Sequence, residues 1–92
     1  MKYLKKSLGQ NFLIDKNIIK KIVSLTNFEN KNIIEIGPGK GILTDEILTK
    51  KPKSLIVIEK DDKLANDLNT KYSYNKIVKV INEDFLKFNL DN

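Results

Sequence analysis

Glu35-Ile36-Gly37-Pro38-Gly39-Lys40-Gly41 is the stretch that decides the reading of this 92-residue chain. It lies where a short apolar run, Asn32 to Ile36, gives way to an amphipathic one, Ile42 to Lys51. The change of period predicts a strand that hands over to a helix. Glycines at alternate positions let the backbone turn tightly and let a ligand approach the main chain with no side chain in the way. The carboxylate two residues before the first glycine gives the sign of that ligand. A pyrophosphate favours an uncluttered, positive helix N-terminus, so Glu35 predicts a ligand that carries positive charge.

The flanking sequence completes the architecture. Asp15 is a plausible N-cap, and Ile18, Ile19, Ile22, Val23 and Leu25 then recur at helical spacing on one face. Ile42, Leu43, Ile47 and Leu48 form the inward stripe of the helix after the glycines; Lys50 and Lys51 suit its C-terminal dipole and Pro52 stops it. Ser54 to Ile58 is a continuous apolar run, as expected of a parallel strand covered on both faces. Asp61 or Asp62 caps a further helix bearing Leu64, Ala65, Leu68 and Tyr72, and Ile77 to Ile81 is a third strand. A helix followed by β-α-β-α-β is one half of a doubly wound α/β sheet. Three parallel strands leave an apolar sheet edge open, which predicts that the sheet continues and that these residues are the first part of a longer protein.

Composition removes several kinds of chemistry. The chain has no cysteine and no histidine, so disulfides, thiolate metal sites and imidazole bases are absent. Its N-terminus has no apolar core of a secretory signal, and no run approaches the ~18 apolar residues of a membrane span. The expectation is a cytoplasmic, metal-free monomer. The net charge of +5 is unevenly placed: residues 1–23 carry six lysines against one aspartate, whereas residues 24–92 carry eleven lysines and eleven acids. The whole excess therefore sits on the N-terminal arm and first helix, an electrostatic footprint for an RNA backbone. The plainer explanation is lysine usage in an AT-rich coding sequence, since arginine is absent.

Ligands of open α/β sheets bind at the carboxyl ends of the strands. Glu35, Glu59 and Asp84 fall there in turn, which predicts one shared crevice. Glu59 follows Gly37 by 22 residues, close to the ~20-residue offset of an acid that accepts hydrogen bonds from ribose hydroxyls. Asp84 is placed to accept from an adenine amino group; the alternative is a cap or turn within Asn82-Glu83-Asp84. The spacing G-x-G-x-G brings the third glycine one residue early for a dinucleotide fingerprint, and the phosphate-binding P-loop pattern is not met. With the three acids in register, the pattern indicates S-adenosylmethionine, whose sulfonium and ammonium groups suit the acidic setting.

Four segments together resemble the ribosomal RNA adenine N6-dimethyltransferases over nearly the whole chain: Lys5-Lys6-Ser7-Leu8-Gly9-Gln10-Asn11-Phe12-Leu13, the EIGPGKGILT run at 35–44, Val57-Ile58-Glu59, and Glu83-Asp84-Phe85-Leu86. The resemblance implies a Rossmann-like methyltransferase fold, here its first half, in a single domain with residues 1–15 as a basic arm over the cofactor and 16–92 as half of the sheet. It implies that Asn11 and Leu13 lie on S-adenosylmethionine, that Gly37 contacts its methionine part, Glu59 its ribose and Asp84 its adenine. Pro38 within Gly-Pro-Gly, and Leu8-Gly9 before the glutamine, look more like the branch that dimethylates two adjacent adenosines near the 3′ end of small-subunit rRNA, in the immature small ribosomal subunit. The other branch modifies large-subunit rRNA and confers macrolide-type resistance.

The family's catalytic motif, Asn/Asp-Leu/Ile-Pro-Tyr/Phe after a fourth strand, has no counterpart. Asn89-Leu90-Asp91-Asn92 starts like it but has neither proline nor aromatic ring, and it follows Asp84 too closely for another strand to intervene. The expectation is a chain with much of the cofactor site and no catalytic residue, inactive by itself. Two rivals come from other classes: a non-catalytic RNA-binding or assembly module, and a nicotinamide-dependent oxidoreductase supported only by the β-α-β pattern.

Overall fold

A computed structural model of the chain describes residues 15–90. The elements run α1 (Lys16–Ser24), β1 (Asn32–Ile36), α2 (Ile42–Leu48), β2 (Ser54–Ile58), α3 (Asp62–Lys71), β3 (Val78–Ile81) and α4 (Phe85–Leu90). The arm, with Asn11 and Leu13, lies outside the described residues.

The three strands form a parallel sheet in the order β1-β2-β3. Asn32 pairs with Ser54 and Ile36 with Ile58 across the first ladder, and Leu55 pairs with Val78 and Ile58 with Ile81 across the second. The all-apolar β2 takes the centre, and Leu55 and Val57 there are fully buried. Parallel neighbours need crossovers, which are almost always right-handed. Both crossovers step the same way across the sheet, so α2 and α3 cover the same face. α1 joins them there: Ile19 and Val23 pack with Ile47, Leu55 and Val57, with Ile33, Val78 and Val80 against that cluster.

The other face is only partly covered, and β1 is its bare part. Ile34 and Ile36 of β1 point that way and are 61% and 53% exposed. Their neighbours in the strand, Ile33 and Glu35, point into the helix-covered side. β1 therefore alternates between a packed and a bare face, as strand geometry requires.

Capping follows the sequence. Asp15 accepts hydrogen bonds from the N–H groups of Asn17 and Ile18 at 2.9 and 3.3 Å. Of the two aspartates offered for α3, Asp61 is the cap, accepting from Leu64 N at 2.9 Å. Each such cap contributes ~1 kcal/mol.

Four boundaries or placements differ from expectation. α2 ends at Leu48 and not at Lys51. Its last N–H groups tighten onto carbonyls three residues back (Thr49 to Glu46, Lys50 to Ile47, Lys51 to Leu48), and Lys51 then turns left-handed with φ 57°. Lys50 and Lys51 thus lie beyond the helix. The Lys51 carbonyl accepts from Asn30 N at 2.9 Å, which ties the α2–β2 turn to the loop before β1. Leu25, expected on the inward stripe of α1, is 84% exposed: as the right-handed C-cap it continues the helical path, and at 3.6 residues per turn that sets it about 120° around the axis from Ile19, off the buried stripe. β3 begins at Val78; Ile77 N turns back to Asn75 Oδ1, though the Ile77 carbonyl already accepts from Leu55 N at 2.8 Å. α4 was not foreseen, and it takes in Asn89 and Leu90, so those residues form a helix end.

Candidate cofactor-binding site

The loop between β1 and α2 is bent by backbone that only glycine adopts without strain. Gly37 has φ 68° and Gly41 φ 87°. The two glycines have different surroundings. A Cβ placed on Gly37 meets nothing within 4 Å, so that position faces open space at the end of the sheet. A Cβ on Gly41 would fall 2.6 Å from the Tyr72 hydroxyl and 3.2 Å from Leu68. The first glycine leaves room for a ligand and the third leaves room for α3. The loop is anchored to the central strand by Gly37 N donating to Ile58 O at 2.9 Å.

Glu59 follows β2 directly and is buried. Its Oε1 accepts from Gly39 N at 3.2 Å and its Oε2 from Asp61 N at 2.9 Å. The carboxylate therefore lies against the glycine loop on one side and the start of α3 on the other. An ionised carboxylate has about four lone-pair sites, so two N–H donors leave capacity for two hydroxyl donors. Glu59 thus stands at the carboxyl end of β2, beside the glycine loop.

Asn82, just past β3, donates from Nδ2 to the main-chain oxygens of Glu59 at 2.9 Å and Lys60 at 3.3 Å. It fixes the turn that presents the Glu59 carboxylate. From the sequence alone Asn82 reads only as a turn residue. Asp84, two residues on, accepts from Leu86 N at 3.0 Å and so caps the first turn of α4 with one oxygen. The turn alternative raised for Asp84 describes what that oxygen does.

Glu35, one residue before the end of β1, is about as buried as Glu59. It is register partner to Val57, shares that residue's helix-covered face and is 7% exposed. Thr44 of α2 donates to its Oε1 at 2.6 Å. Burial pushes its carboxyl up to about 7; the Thr44 hydrogen bond opposes that and the nearby Asp45 charge adds to it. Through that hydrogen bond its Oε1 is tied to the first turn of α2.

Among the described residues no group of three or more Asp or Glu side chains could hold a metal ion, and no helix is long and apolar enough to cross a membrane. A groove of about 510 Å³ opens at the opposite pole, between the ends of α1 and α2, lined in part by Val23, Phe28, Thr49 and Lys51. It lies at the amino ends of the strands, away from the glycine loop.

A parallel sheet with a glycine loop after its first strand and a buried acid after its second is the first half of a Rossmann-like methyltransferase fold. Solved structures agree. The 23S rRNA methyltransferase ErmE superposes with a TM-score of 0.70 at 32% identity, over 78% of this chain and 30% of that one. A putative RNA methyltransferase from Pyrococcus horikoshii shares the fold with a TM-score of 0.66 at 24% identity, over 79% of this chain and 37% of its own. The family model described as ribosomal RNA adenine dimethylase matches residues 1–92, and the chain belongs to that family. It is 58% identical over 83 residues to the ribosomal RNA small subunit methyltransferase A of Pelagibacter ubique, covering 90% of this chain and 31% of that protein. It is 54% identical to the protein of the same name from Mycoplasmopsis pulmonis, covering 95% and 34%. The chain thus spans about a third of the length of the curated relatives it matches.

Proposed function

We propose that this chain is the cofactor-binding, amino-terminal part of an S-adenosylmethionine-dependent enzyme that dimethylates adenine N6 on two adjacent adenosines near the 3′ end of small-subunit rRNA. The observation that carries the reading is the 58% identity to a small-subunit rRNA methyltransferase across nine-tenths of the chain. The site's chemistry supports it. Gly37 leaves space at the loop, Glu59 offers spare acceptor capacity beside it, and Asp84 follows at the end of the next strand. These residues fit a nucleoside with a charged amino-acid tail: Gly37 would face the methionine part, Glu59 the ribose diol and Asp84 the adenine, with Asn11 and Leu13 of the basic arm closing over them.

When bound, S-adenosylmethionine supplies a methyl group on a positively charged sulfur, a leaving group that needs no metal, histidine or cysteine. The work of this half is then alignment. The glycine loop and Glu59 hold the cofactor, and none of the 92 residues is assigned to catalysis. The same reading makes residues 1–15 the cofactor-covering arm and 16–92 half of one methyltransferase domain. It makes the immature small subunit the partner and the cytoplasm the place of action for a metal-free monomer.

The likeness to ErmE favours one second reading, methylation of large-subunit rRNA. The test supplies the full-length protein with S-adenosylmethionine and with small or large ribosomal subunits that lack the modification. Dimethyladenosine at adjacent positions of small-subunit rRNA is expected. Methylation confined to large-subunit rRNA would select the second reading. Binding to subunits with no methyl transfer would leave a non-catalytic module, and binding of NAD in place of S-adenosylmethionine would return the oxidoreductase.

A further inference from the structure

We propose that Tyr72 and Lys71, at the end of α3, are positioning residues that hold the exit of the glycine loop where it can grip the amino-acid end of the cofactor; this rests on the cofactor assignment above. The Tyr72 hydroxyl lies 2.6 Å from Asp45 Oδ1 and 3.1 Å from the Gly41 carbonyl. The Lys71 ammonium donates to Asp45 Oδ2 at 2.8 Å and to the Lys40 carbonyl at 3.2 Å, and it sits 5.3 Å from the centre of the Tyr72 ring. Two consecutive residues of α3 thus engage both oxygens of one carboxylate in the first turn of α2 and the last two carbonyls of the loop. Gly41 has no Cβ at the point where these groups converge, and one placed there would fall 2.6 Å from the Tyr72 hydroxyl and 3.2 Å from the Lys71 ammonium.

The arrangement is more than surface pairing. Tyr72 is buried. Burial, followed by the Asp45 carboxylate, pushes its hydroxyl far up from the ordinary tyrosine range, so it remains a donor at every working pH. The opposite end of α3 is fastened to the same loop. Asp61 N donates to Glu59 Oε2, and Glu59 Oε1 accepts from Gly39 N. One helix therefore grips the glycine loop from both of its ends, through Glu59 at its start and through Tyr72 and Lys71 at its finish. The start lies at the residue assigned to the ribose, and the finish fixes only the main chain that follows Gly37 and Gly39. Loss of the finish should therefore be felt by the cofactor's amino-acid tail and not by its nucleoside.

Two ligands separate these parts. S-adenosylhomocysteine carries nucleoside and amino-acid tail; 5′-methylthioadenosine carries the nucleoside and thioether alone. The experiment measures both affinities by calorimetry for the full-length protein and for Tyr72→Phe, which keeps the ring and removes the hydroxyl. Losing a hydrogen bond to a charged group is expected to weaken S-adenosylhomocysteine about five- to tenfold, with 5′-methylthioadenosine changed less than about twofold. The KM for S-adenosylmethionine should rise by the same factor, with kcat at saturation unchanged. Equal weakening of both ligands would reduce Tyr72 to general stability, and no weakening of either would remove the role; each overturns the proposal. Lys71→Met keeps the side-chain stem at a half-exposed position and carries the same comparison should Tyr72→Phe fail to fold. If the unaltered protein binds neither ligand, the cofactor reading itself falls, and this inference with it.

Discussion

Replacing Glu35 with glutamine should stabilise the protein at alkaline pH and leave it nearly unchanged at acid pH. The carboxyl is buried against Thr44, and its pKa stands at about 7 against an ordinary 4.5. One pKa unit corresponds to about 1.4 kcal/mol, so the ionised form costs about 3 kcal/mol in the fold. The sign follows from proton counting. Below pH 4.5 the group is protonated in both states and contributes no penalty. Between 4.5 and about 7 the unfolded chain has released the proton and the folded chain still holds it, so stability falls as pH rises. Above about 7 both states are ionised and the whole penalty is present. Glutamine keeps the shape and the acceptor for the Thr44 hydroxyl but cannot ionise. Urea denaturation of the ligand-free protein should therefore place Glu35→Gln within about 0.5 kcal/mol of the unaltered protein at pH 4 and about 3 kcal/mol above it at pH 8.5. A constant offset between the two proteins across that range would refute the reasoning, as would a flat stability profile for the unaltered protein. The same variant also tests where the carboxylate points. Held by Thr44 within the packed face, it should change S-adenosylmethionine affinity by less than about twofold, whereas a carboxylate facing the cofactor's positive charge would be missed by a factor of ten or more.

Glu59→Ala should weaken cofactor binding by about 1–3 kcal/mol through loss of the ribose acceptors and of the Gly39 contact, read by calorimetry on a variant whose circular dichroism is unchanged. Alanine at the two ends of the glycine loop should act differently. Gly37→Ala enters open space at a left-handed φ, so it should cost about 1 kcal/mol of stability and more of its effect should appear in cofactor affinity. Gly41→Ala must displace the Tyr72 hydroxyl as well as adopt a left-handed φ, so its loss in thermal midpoint should exceed that of Gly37→Ala. Asn82→Ala frees the turn that presents Glu59 and should raise the KM for S-adenosylmethionine while leaving kcat at saturation in place.

The fold was legible because its signals are local and agree with one another. Ser54 to Ile58 could only be a buried strand, and the glycine loop between apolar runs could only be a strand-to-helix turn, and both appear with the expected limits. Boundaries shifted where a backbone detail outweighs composition. Lysines after Leu48 look like a favourable helix end, yet the left-handed turn at Lys51 had already closed α2. Leu25 follows Ile22 by three residues, but the stripe that is buried runs through Ile19 and Val23, from which Leu25 is turned away. α4 is six residues long and has no clear apolar period to announce it.

The site was legible only as far as a residue's position along its strand determines its role. Glu59 comes directly after β2, so its place at the strand's carboxyl end follows from the topology. Glu35 comes two residues before the first glycine but still within β1, where alternation decides its direction. Register with Val57 sends it into the packed face. The register sets Glu59 two residues beyond Glu35, level with Gly37, so the two acids share a side of the sheet and differ in how far along the strand they lie, which the motif alone does not state. The polar cluster at Gly41 is harder still. Asp45 precedes Tyr72 by 27 residues, and they meet only because two right-handed crossovers lay α2 and α3 side by side on one face. In the sequence Tyr72 reads as the last apolar position of an amphipathic helix, and its ring does pack as one. Its hydroxyl has a partner for a different reason, that the neighbouring helix begins where a glycine leaves room for it. Glycine at position 41 and tyrosine at position 72 are therefore one feature of the fold, and a substitution at either should be judged by what it does to the other.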